Sequence, residues 1–401
     1  MDAIDTDILI AGGGVAGLSA TAILASRGFS VLCADPAPPV TSAEAAGADL
    51  RSTAFLGPSV ALLRDCGLWD RLEAEAAPLR VMRIVDAGED GAPRRVADFD
   101  AAEIGSDAFG YNLPNWLIRR EMVAHIGGMR GARLRAPARI TGIVPRGDRA
   151  VARFGDGTGV SARLVIAADG RDSGLREAAG IGARRWGYGQ KGLVFVVRHE
   201  RPHEGVSTEV HLSGGPFTLV PLPGREGAHR SAVVWMERGP RALHLAAMPE
   251  AEFEAAANAR SAGVLGRLTL EGRRAVWPIV AQIADRLDAP RMALIAEAAH
   301  VVPPIGAQGL NMSLRDIGAL ADLLVEARAA GRDIGAPEVL ARYHRARHAK
   351  VLARILGVDA LNRAAMTGAG PLRGLRGLGL GVLSGTTPLR RAAMRLGLGA
   401  E

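Results

Sequence analysis

The stretch Asp7-Ile8-Leu9-Ile10-Ala11 runs without a break into Gly12-Gly13-Gly14-Val15-Ala16-Gly17, and from there into an Ala/Leu-rich segment that closes at Arg27-Gly28. A short apolar run bounded by glycines reads as a buried parallel strand, and the spacing predicts a tight turn into a helix. A second apolar run, Ser30 to Ala34, follows and ends in Asp35. Strand, glycine turn, helix, strand and terminal acid in this order form a βαβ unit able to hold a dinucleotide. Gly12 permits the turn, Gly14 lets the backbone approach a pyrophosphate, and Gly17 lets helix pack closely on strand. The amides of the first helical turn, with Val15 and Ala16 among them, and the helix dipole receive the phosphates. Asp35 is placed to accept hydrogen bonds from a ribose diol. The pattern alone does not separate one dinucleotide from another.

A chain of 401 residues has room for two or three lobes around more than one core. No unbroken apolar run reaches the roughly 18 residues a membrane-spanning helix needs. Met1 to Asp7 carries acids where a secretory signal carries basic residues, so a cytoplasmic protein is expected. Cys33 and Cys66 lack metal-ligand spacing and read as small buried hydrophobes. Net charge is +7, almost all of the basic charge being arginine, with Lys191 and Lys350 the lysines. No basic run is interleaved with aromatics, so nucleic acid is not an expected partner.

Past the first unit, Asp49-Leu50-Arg51-Ser52-Thr53-Ala54 precedes a helix carrying Leu62, Leu63 and Leu68 on its apolar side. Arg51 reads either as a surface charge or as a contact to a cofactor phosphate or ring. Strands are expected over 79–100 with a turn at Ala87 to Gly91, and a helix from Asn115 to Met129. From Ala138 the pattern is of short strands, with a hairpin at Asp156-Gly157, ending in Leu164-Val165-Ile166-Ala167-Ala168-Asp169-Gly170. Asp169 stands at the end of a buried strand, where ligands bind, and equally at the start of the next helix, where it would act as a cap.

Residues 190–275 are β-rich, with Leu193 to Arg198, Thr218 to Leu222 and Ala232 to Met236 separated by Gly/Pro turns and a helix near 249–269. A buried strand returns at Met292 to Ala296, followed by Glu297-Ala298-Ala299-His300-Val301-Val302-Pro303-Pro304-Ile305-Gly306-Ala307-Gln308-Gly309-Leu310-Asn311 and a helix from about Met312 to Ala330. Prolines and glycines ahead of a helix make a rigid loop whose amides can meet a planar or anionic ligand. His300 has no nucleophile or metal-ligand partner nearby in sequence, so packing or loop fixing is favoured over a base. His344 and His348 share a helical face without an accompanying carboxylate and read as solvated. No metal site is expected.

With these motifs placed, the chain resembles the class A flavoprotein monooxygenases, and among them the ubiquinone-biosynthesis hydroxylase family, over nearly its whole length. The carriers are the Gly12 to Gly17 loop, Ala168-Asp169-Gly170-Arg171-Asp172-Ser173, and Ala296 through Asp316. Asp49-Leu50-Arg51, Gly215-Pro216-Phe217 and Pro221-Leu222-Pro223 add to the likeness. The resemblance implies an α/β fold: a Rossmann-like FAD-binding domain of the p-hydroxybenzoate hydroxylase kind, an inserted, mostly antiparallel β-sheet substrate domain, and a C-terminal helical segment. Its expected division is 1–75, 101–180 and 276–345 for FAD, 76–100 and 181–275 for substrate, and 346–401 as a basic helical tail. It puts Gly12, Gly14, Gly17 and Asp35 at the ADP part of FAD, with Arg51, Asn115 and Arg120 near the cofactor. Asp169 lies behind the pyrophosphate, and Pro303 to Asn311, including Pro304, Gly306, Gln308, Gly309 and Leu310, meet the ribityl chain and isoalloxazine. Pro303, Pro304, Phe217 and Leu219 are the expected substrate pocket. Two departures stand out: Ala296-Glu297 replaces the usual Gly-Asp, and Gly306-Ala307 reverses the commoner Ala-Gly.

The implied activity is hydroxylation of the aromatic ring of a polyprenylated phenol in ubiquinone biosynthesis, through a flavin C4a-hydroperoxide formed with O2 and electrons from NADH or NADPH. No catalytic side chain is assigned, since the cofactor carries the chemistry. Two rival readings are a hydroxylase of a soluble aromatic compound and a catalytically silent flavoprotein scaffold of a quinone-synthesis complex. The C-terminal stretch from Arg363 to Arg395 mixes Leu and Gly with Arg373, Arg376, Arg390, Arg391 and Arg395. It is suited to peripheral contact with the inner face of a membrane, to other ubiquinone-synthesis proteins, or to packing on the enzyme's own body. A homo-oligomer is compatible with all of these.

Overall fold

The computed structural model describes residues 4–87, 93–212, 214–366 and 386–398. Three sheets organise the described residues. In the first, Ile4–Ala11 lies between Gly159–Ala167 and Val31–Ala34, all parallel, and Ala132–Arg135 and Met292–Leu294 extend it on either side. Parallel neighbours require a crossover, and the helix Val15–Ser26 supplies the one between Ile4–Ala11 and Val31–Ala34. That helix is apolar nearly all round, because it is buried between the sheet and the helices Asn115–Gly128 and Gln308–Ala329. Cys33 and Cys66 are buried free thiols.

The second sheet runs His300–Val301, Leu268–Ala284, Ala183–His199, Ala228–Arg238, Pro216–Arg225, Val206–His211, Val81–Ala87, Pro93–Asp100. Its pairings are antiparallel except that between Val206–His211 and Val81–Ala87. One face is covered by helices Gly239–Ala247 and Glu250–Arg260, through a core containing Phe195, Phe217, Trp235 and Phe253. The other turns toward the first domain, where Met236, Ile279, Ile305 and Val358 pack together. Strand alternation separates the two sets. A small sheet of Ser52–Leu56, Gly110–Pro114 and Ala77–Leu79 lies between the larger ones in the chain's path.

Several expectations need correction. The helix expected from Met312 begins at Gln308, so Gln308 to Asn311 form its first turn and are not loop. The helix placed near 249–269 is the shorter Glu250–Arg260, preceded by the unforeseen Gly239–Ala247. Leu268–Ala284 continues through residue 276, and Pro337–Met366 is one helix through residue 346, so neither position interrupts an element. His344 and His348 are half-buried and fasten that helix to the sheet, the first accepting from Leu287 N at 3.3 Å and the second donating to Ala284 O at 3.0 Å. Their face is thus not solvated, because the helix lies on the end of the Leu268–Ala284 strand. The turn at Ala87 to Gly91 lies mostly outside the described residues, as do Arg373 and Arg376. Among the described residues no helix is long and apolar enough to cross a membrane, and no cluster of His, Cys, Asp and Glu could hold a metal.

Candidate functional site

Backbone sterics explain two glycines of the first loop. Gly12 has φ +111°, and a Cβ there would lie 2.3 Å from Ala168 O. A Cβ on Gly17 would lie 1.9 Å from Gly12 O, so the helix could not seat against the strand. Gly14 differs: a Cβ on it would meet nothing within 4 Å, so the protein's own packing does not demand glycine there. Gly14 opens the helix Val15–Ser26 without a side-chain cap, leaving first-turn amides to bind an anion at the positive helix end. Asp35 holds the turn in shape, accepting from Gly13 N at 2.6 Å and Ala37 N at 2.8 Å.

A second cluster gathers on the buried carboxylate of Asp49. Arg51 donates to both its oxygens at 2.8 Å, Asn115 Nδ2 donates at 2.9 Å, and Arg119 stands at 3.6 Å. Burial alone would raise the Asp49 pKa, but the hydrogen bonds and charge of Arg51, with Asn115, outweigh it and leave the carboxyl below its ordinary value. Burial likewise works to lower the Arg51 pKa, and Asp49, assisted by the charge of Glu297, raises it instead. The Arg51 guanidinium lies 4.6 Å from the ring centroid of Trp277, on the inward face of the second sheet. Arg51 is therefore a fixed, stacked cation facing both domains.

Arg120 does not join this cluster. It points away, bonds Glu121 at 2.8 Å and stands 5.5 Å from the Trp116 ring. Arg119, one turn beyond Asn115, takes the inward position, and its buried Nε has no hydrogen-bond partner among the described residues. Sequence reasoning missed Arg119 and Trp277. Helical spacing from Asn115 to Arg119 was the available signal for the first.

Asp169 steadies the start of the helix Gly174–Ala178, whose N-cap is Ser173, accepting from Ser173 Oγ at 2.5 Å and Leu175 N at 3.2 Å. This order carries Arg171 and Arg176 to the segment that follows the strand Met292–Leu294. Arg176 donates to Arg171 O and Ala298 O, both at 3.1 Å, and Arg171 pairs with Glu297 at 3.3 Å. Gln282 donates to Arg171 O at 3.1 Å and Glu297 O at 3.4 Å, joining the second sheet to both segments. Glu297 is partly exposed, so its carboxylate keeps free acceptor capacity beside two arginines.

Beyond Glu297, His300 is buried and bonded through Nε2 to Asp316 Oδ2 at 2.6 Å, while Arg347 Nε donates to Asp316 Oδ1 at 2.6 Å. His300 fixes the loop, as expected. Pro303 and Ile305 are buried and Pro304 is exposed. Gly306 and Ala307 both have positive φ, and Ala307 caps the Gln308–Ala329 helix without a side-chain bond. Asn311 is held entirely by backbone: it accepts from Leu56 N at 2.9 Å and donates to Ala54 O at 2.8 Å and Ala307 O at 2.6 Å. Gln308 donates to Gly306 O at 2.7 Å and Gly397 O at 3.1 Å, and its buried Oε1 has no partner among the described residues. Gly309 and Leu310 lie in the same first turn.

Phe217 and Leu219, expected in a substrate pocket, lie on the opposite face of the second sheet. They are paired with Trp235 and Val233 and fully buried beneath the helices. The residues of that strand sharing a face with Val234 and Met236 are Thr218 and Val220, one register position away.

The open position at Gly14, two uncapped helix N-termini, and unpartnered buried atoms on Arg119 and Gln308 fit a dinucleotide with a planar head, as FAD is. The sequence profile of the family described as FAD binding domain matches residues 5–355. Ubiquinone hydroxylase UbiL of Rhodospirillum rubrum is 38% identical over 393 residues, covering 98% of this chain and 89% of its own. The 3-demethoxyubiquinol 3-hydroxylase of Escherichia coli K12 is 29% identical over 394 residues, covering 98% of each. Among solved structures, p-nitrophenol 4-monooxygenase PnpA from Pseudomonas putida DLL-E4 superposes with a TM-score of 0.80 at 19% identity, over 99% of both chains, and shares the fold.

Proposed function

The chain belongs to the FAD-binding-domain family and is an FAD-dependent aromatic hydroxylase, and from that premise we propose that it acts on the ring of a polyprenylated phenol in ubiquinone biosynthesis, with O2 and with NADH or NADPH as reductant. The observation that carries this reading is the extent of the likeness to the hydroxylase of Rhodospirillum rubrum. It spans the substrate-side sheet as well as the cofactor loops.

Bound FAD supplies electron transfer and oxygen activation; the protein supplies binding, orientation and exclusion of water. Gly12 to Gly17, Val15 and Ala16 seat the pyrophosphate, and Asp35 fixes the loop while offering its remaining lone pairs to the ribose. Arg51, Arg119 and Asn115, ordered by Asp49, hold the cofactor from one side, with Asp169 ordering the segment behind it. Glu297 and the turn from Pro304 to Leu310, anchored by Asn311, hold it from the other. The ring of the substrate lies between Pro303-Pro304-Ile305 and the inward face of the second sheet at Val234, Met236, Trp277 and Ile279.

The reading places peripheral membrane contact on Thr387–Leu398. Its inner side is anchored by buried Met394 and by Arg390 on Glu103 at 2.7 Å, and its outer side presents Leu389 and Leu396 beside Arg391 and Arg395.

The test is to purify the protein, record its flavin spectrum and follow NAD(P)H oxidation with and without a prenylphenol. Substrate-stimulated oxidation with a hydroxylated product is expected. Bound flavin that NAD(P)H does not reduce even with the prenylphenol present would instead indicate a silent scaffold. Stimulation by small aromatic acids alone would indicate a soluble substrate.

A further inference from the structure

Beside Ile305, where the Pro337–Met366 helix closes over the inward sheet face, a chain of neutral amides ends in an unused acceptor. Val358 packs against Met236, Ile279 and Ile305, and Asn362 stands one turn further along the same helix, fully buried. Asn362 Nδ2 donates to Gln190 Oε1 at 3.0 Å, and Gln190 Nε2 donates to Gly214 O at 2.7 Å.

The direction of this chain is fixed from its far end. A backbone carbonyl only accepts, so the Gln190 amide nitrogen must face Gly214 and its oxygen must face Asn362. The Asn362 nitrogen is therefore turned to Gln190, with Met366 Sδ at 3.9 Å as its other neighbour. Asn362 Oδ1 is left buried with no partner among the described residues. Gly215 makes room for the arrangement, since a Cβ there would come within 2.8 Å of Gln190 Nε2.

A buried acceptor without a donor calls for an explanation, and among the described residues the apolar wall around Val358 offers none. Other orphans on this side of the molecule, Arg119 Nε, Gln308 Oε1 and Trp277 Nε1, lie with the groups around Arg51 and the Gln308 helix start on the cofactor side. We propose that Asn362 Oδ1 accepts the hydrogen bond of the substrate's ring hydroxyl, and so sets which edge of the ring faces the loop at Pro303 to Ile305. This rests on the aromatic-hydroxylase reading and extends it to recognition of the hydroxyl. The ligand class is a neutral phenol, a donor, since Asn362 brings no charge and Gln190 and Gly214 bring none. A ring with its oxygen methylated has no proton to give and leaves the acceptor unsatisfied.

The test compares three probes on the flavin-loaded protein, by calorimetry or by the change they cause in the flavin spectrum: ortho-hexylphenol, its methyl ether, and hexylbenzene. The phenol is expected to bind at least tenfold more tightly than either of the others. In Asn362→Leu that preference collapses to within about twofold, while hexylbenzene binds as in the wild type. A helix-packing role alone would weaken all three together. Equal binding of phenol and hexylbenzene to the wild-type protein overturns the proposal without any variant and leaves the hydroxylase reading standing. Failure of all three to bind overturns both.

Discussion

The two cofactor loops, Gly12 to Gly17 and Ala296 to Asn311, solve the same problem in opposite ways. Each ends a parallel strand, turns sharply and opens a helix whose first amides are uncapped. In the first, the position with φ +111° and the close approach of 1.9 Å are both occupied by glycine. In the second, alanine holds two left-handed positions, Ala296 and Ala307, each at φ +55°. The anchors differ too. Asp35 pins the first loop through the single backbone amide of Gly13 while its other oxygen accepts from Ala37 N, whereas Asp316 pins the second through a buried histidine and is itself held by an arginine. The first loop is relaxed and needs little support; the second is strained and is held by charge.

The largest effect is expected at that charge. Asp316→Leu leaves Arg347 and His300 without their shared acceptor in the interior, and should destabilise the protein by about 3–5 kcal/mol. Asp35→Asn keeps an acceptor for one of two neutral amides and should cost about 1 kcal/mol. Urea denaturation of both variants checks the contrast. Equal losses would mean that the second loop is not charge-held.

Within the first loop, neighbouring glycines should behave differently. Gly17→Ala forces a methyl into Gly12 O and should cost about 3 kcal/mol, close to the upper range for overpacking. Gly14→Ala meets no protein atom, so without cofactor it should lose only the N-cap preference of glycine over alanine, about 1 kcal/mol or less and well short of Gly17→Ala. FAD affinity should nevertheless fall about tenfold, because the methyl stands where the backbone must approach the pyrophosphate. Thermal melts of the apoprotein and flavin titration separate the two effects. A Gly14→Ala protein with unchanged FAD affinity would remove Gly14 from the site.

These differences also explain what could be read in advance. The glycine loop was legible because sterics there admit one residue type, and the residue is visible in the sequence. The face of a strand buried on both sides is not: Phe217 and Leu219 are as apolar as Thr218 and Val220 are small, and only the register with Trp235 and Val234 tells inward from outward. Gln308-Gly309 looks like loop by propensity, yet three backbone bonds through Asn311 hold it as a helical turn. Arg119 and Arg120 are adjacent and alike, so their roles were decided by helix phase relative to Asp49, which is more than sixty residues away in the chain. The fold and the cofactor class came from local patterns. The partners of Arg51, Asp316 and Asn362 came from contacts the chain makes only once folded.

The smallest effect bears most directly on the strain itself. An L-residue in the left-handed region costs roughly 1–2 kcal/mol, a penalty glycine avoids while losing more backbone freedom on folding. Ala307→Gly should therefore raise stability by about 1 kcal/mol or less. Its side chain makes no cap, so nothing is lost with the methyl at the helix start, where glycine is tolerated. The gain should persist with and without flavin if the strain serves only as a tolerated defect. If the strain instead presses the loop toward the isoalloxazine, the apoprotein gains while FAD affinity falls, and the two measurements part. Melting of apo and flavin-loaded Ala307→Gly decides between these. A variant less stable in both forms would show that alanine is relaxed at this position, and the contrast between the loops would then rest on their anchors alone.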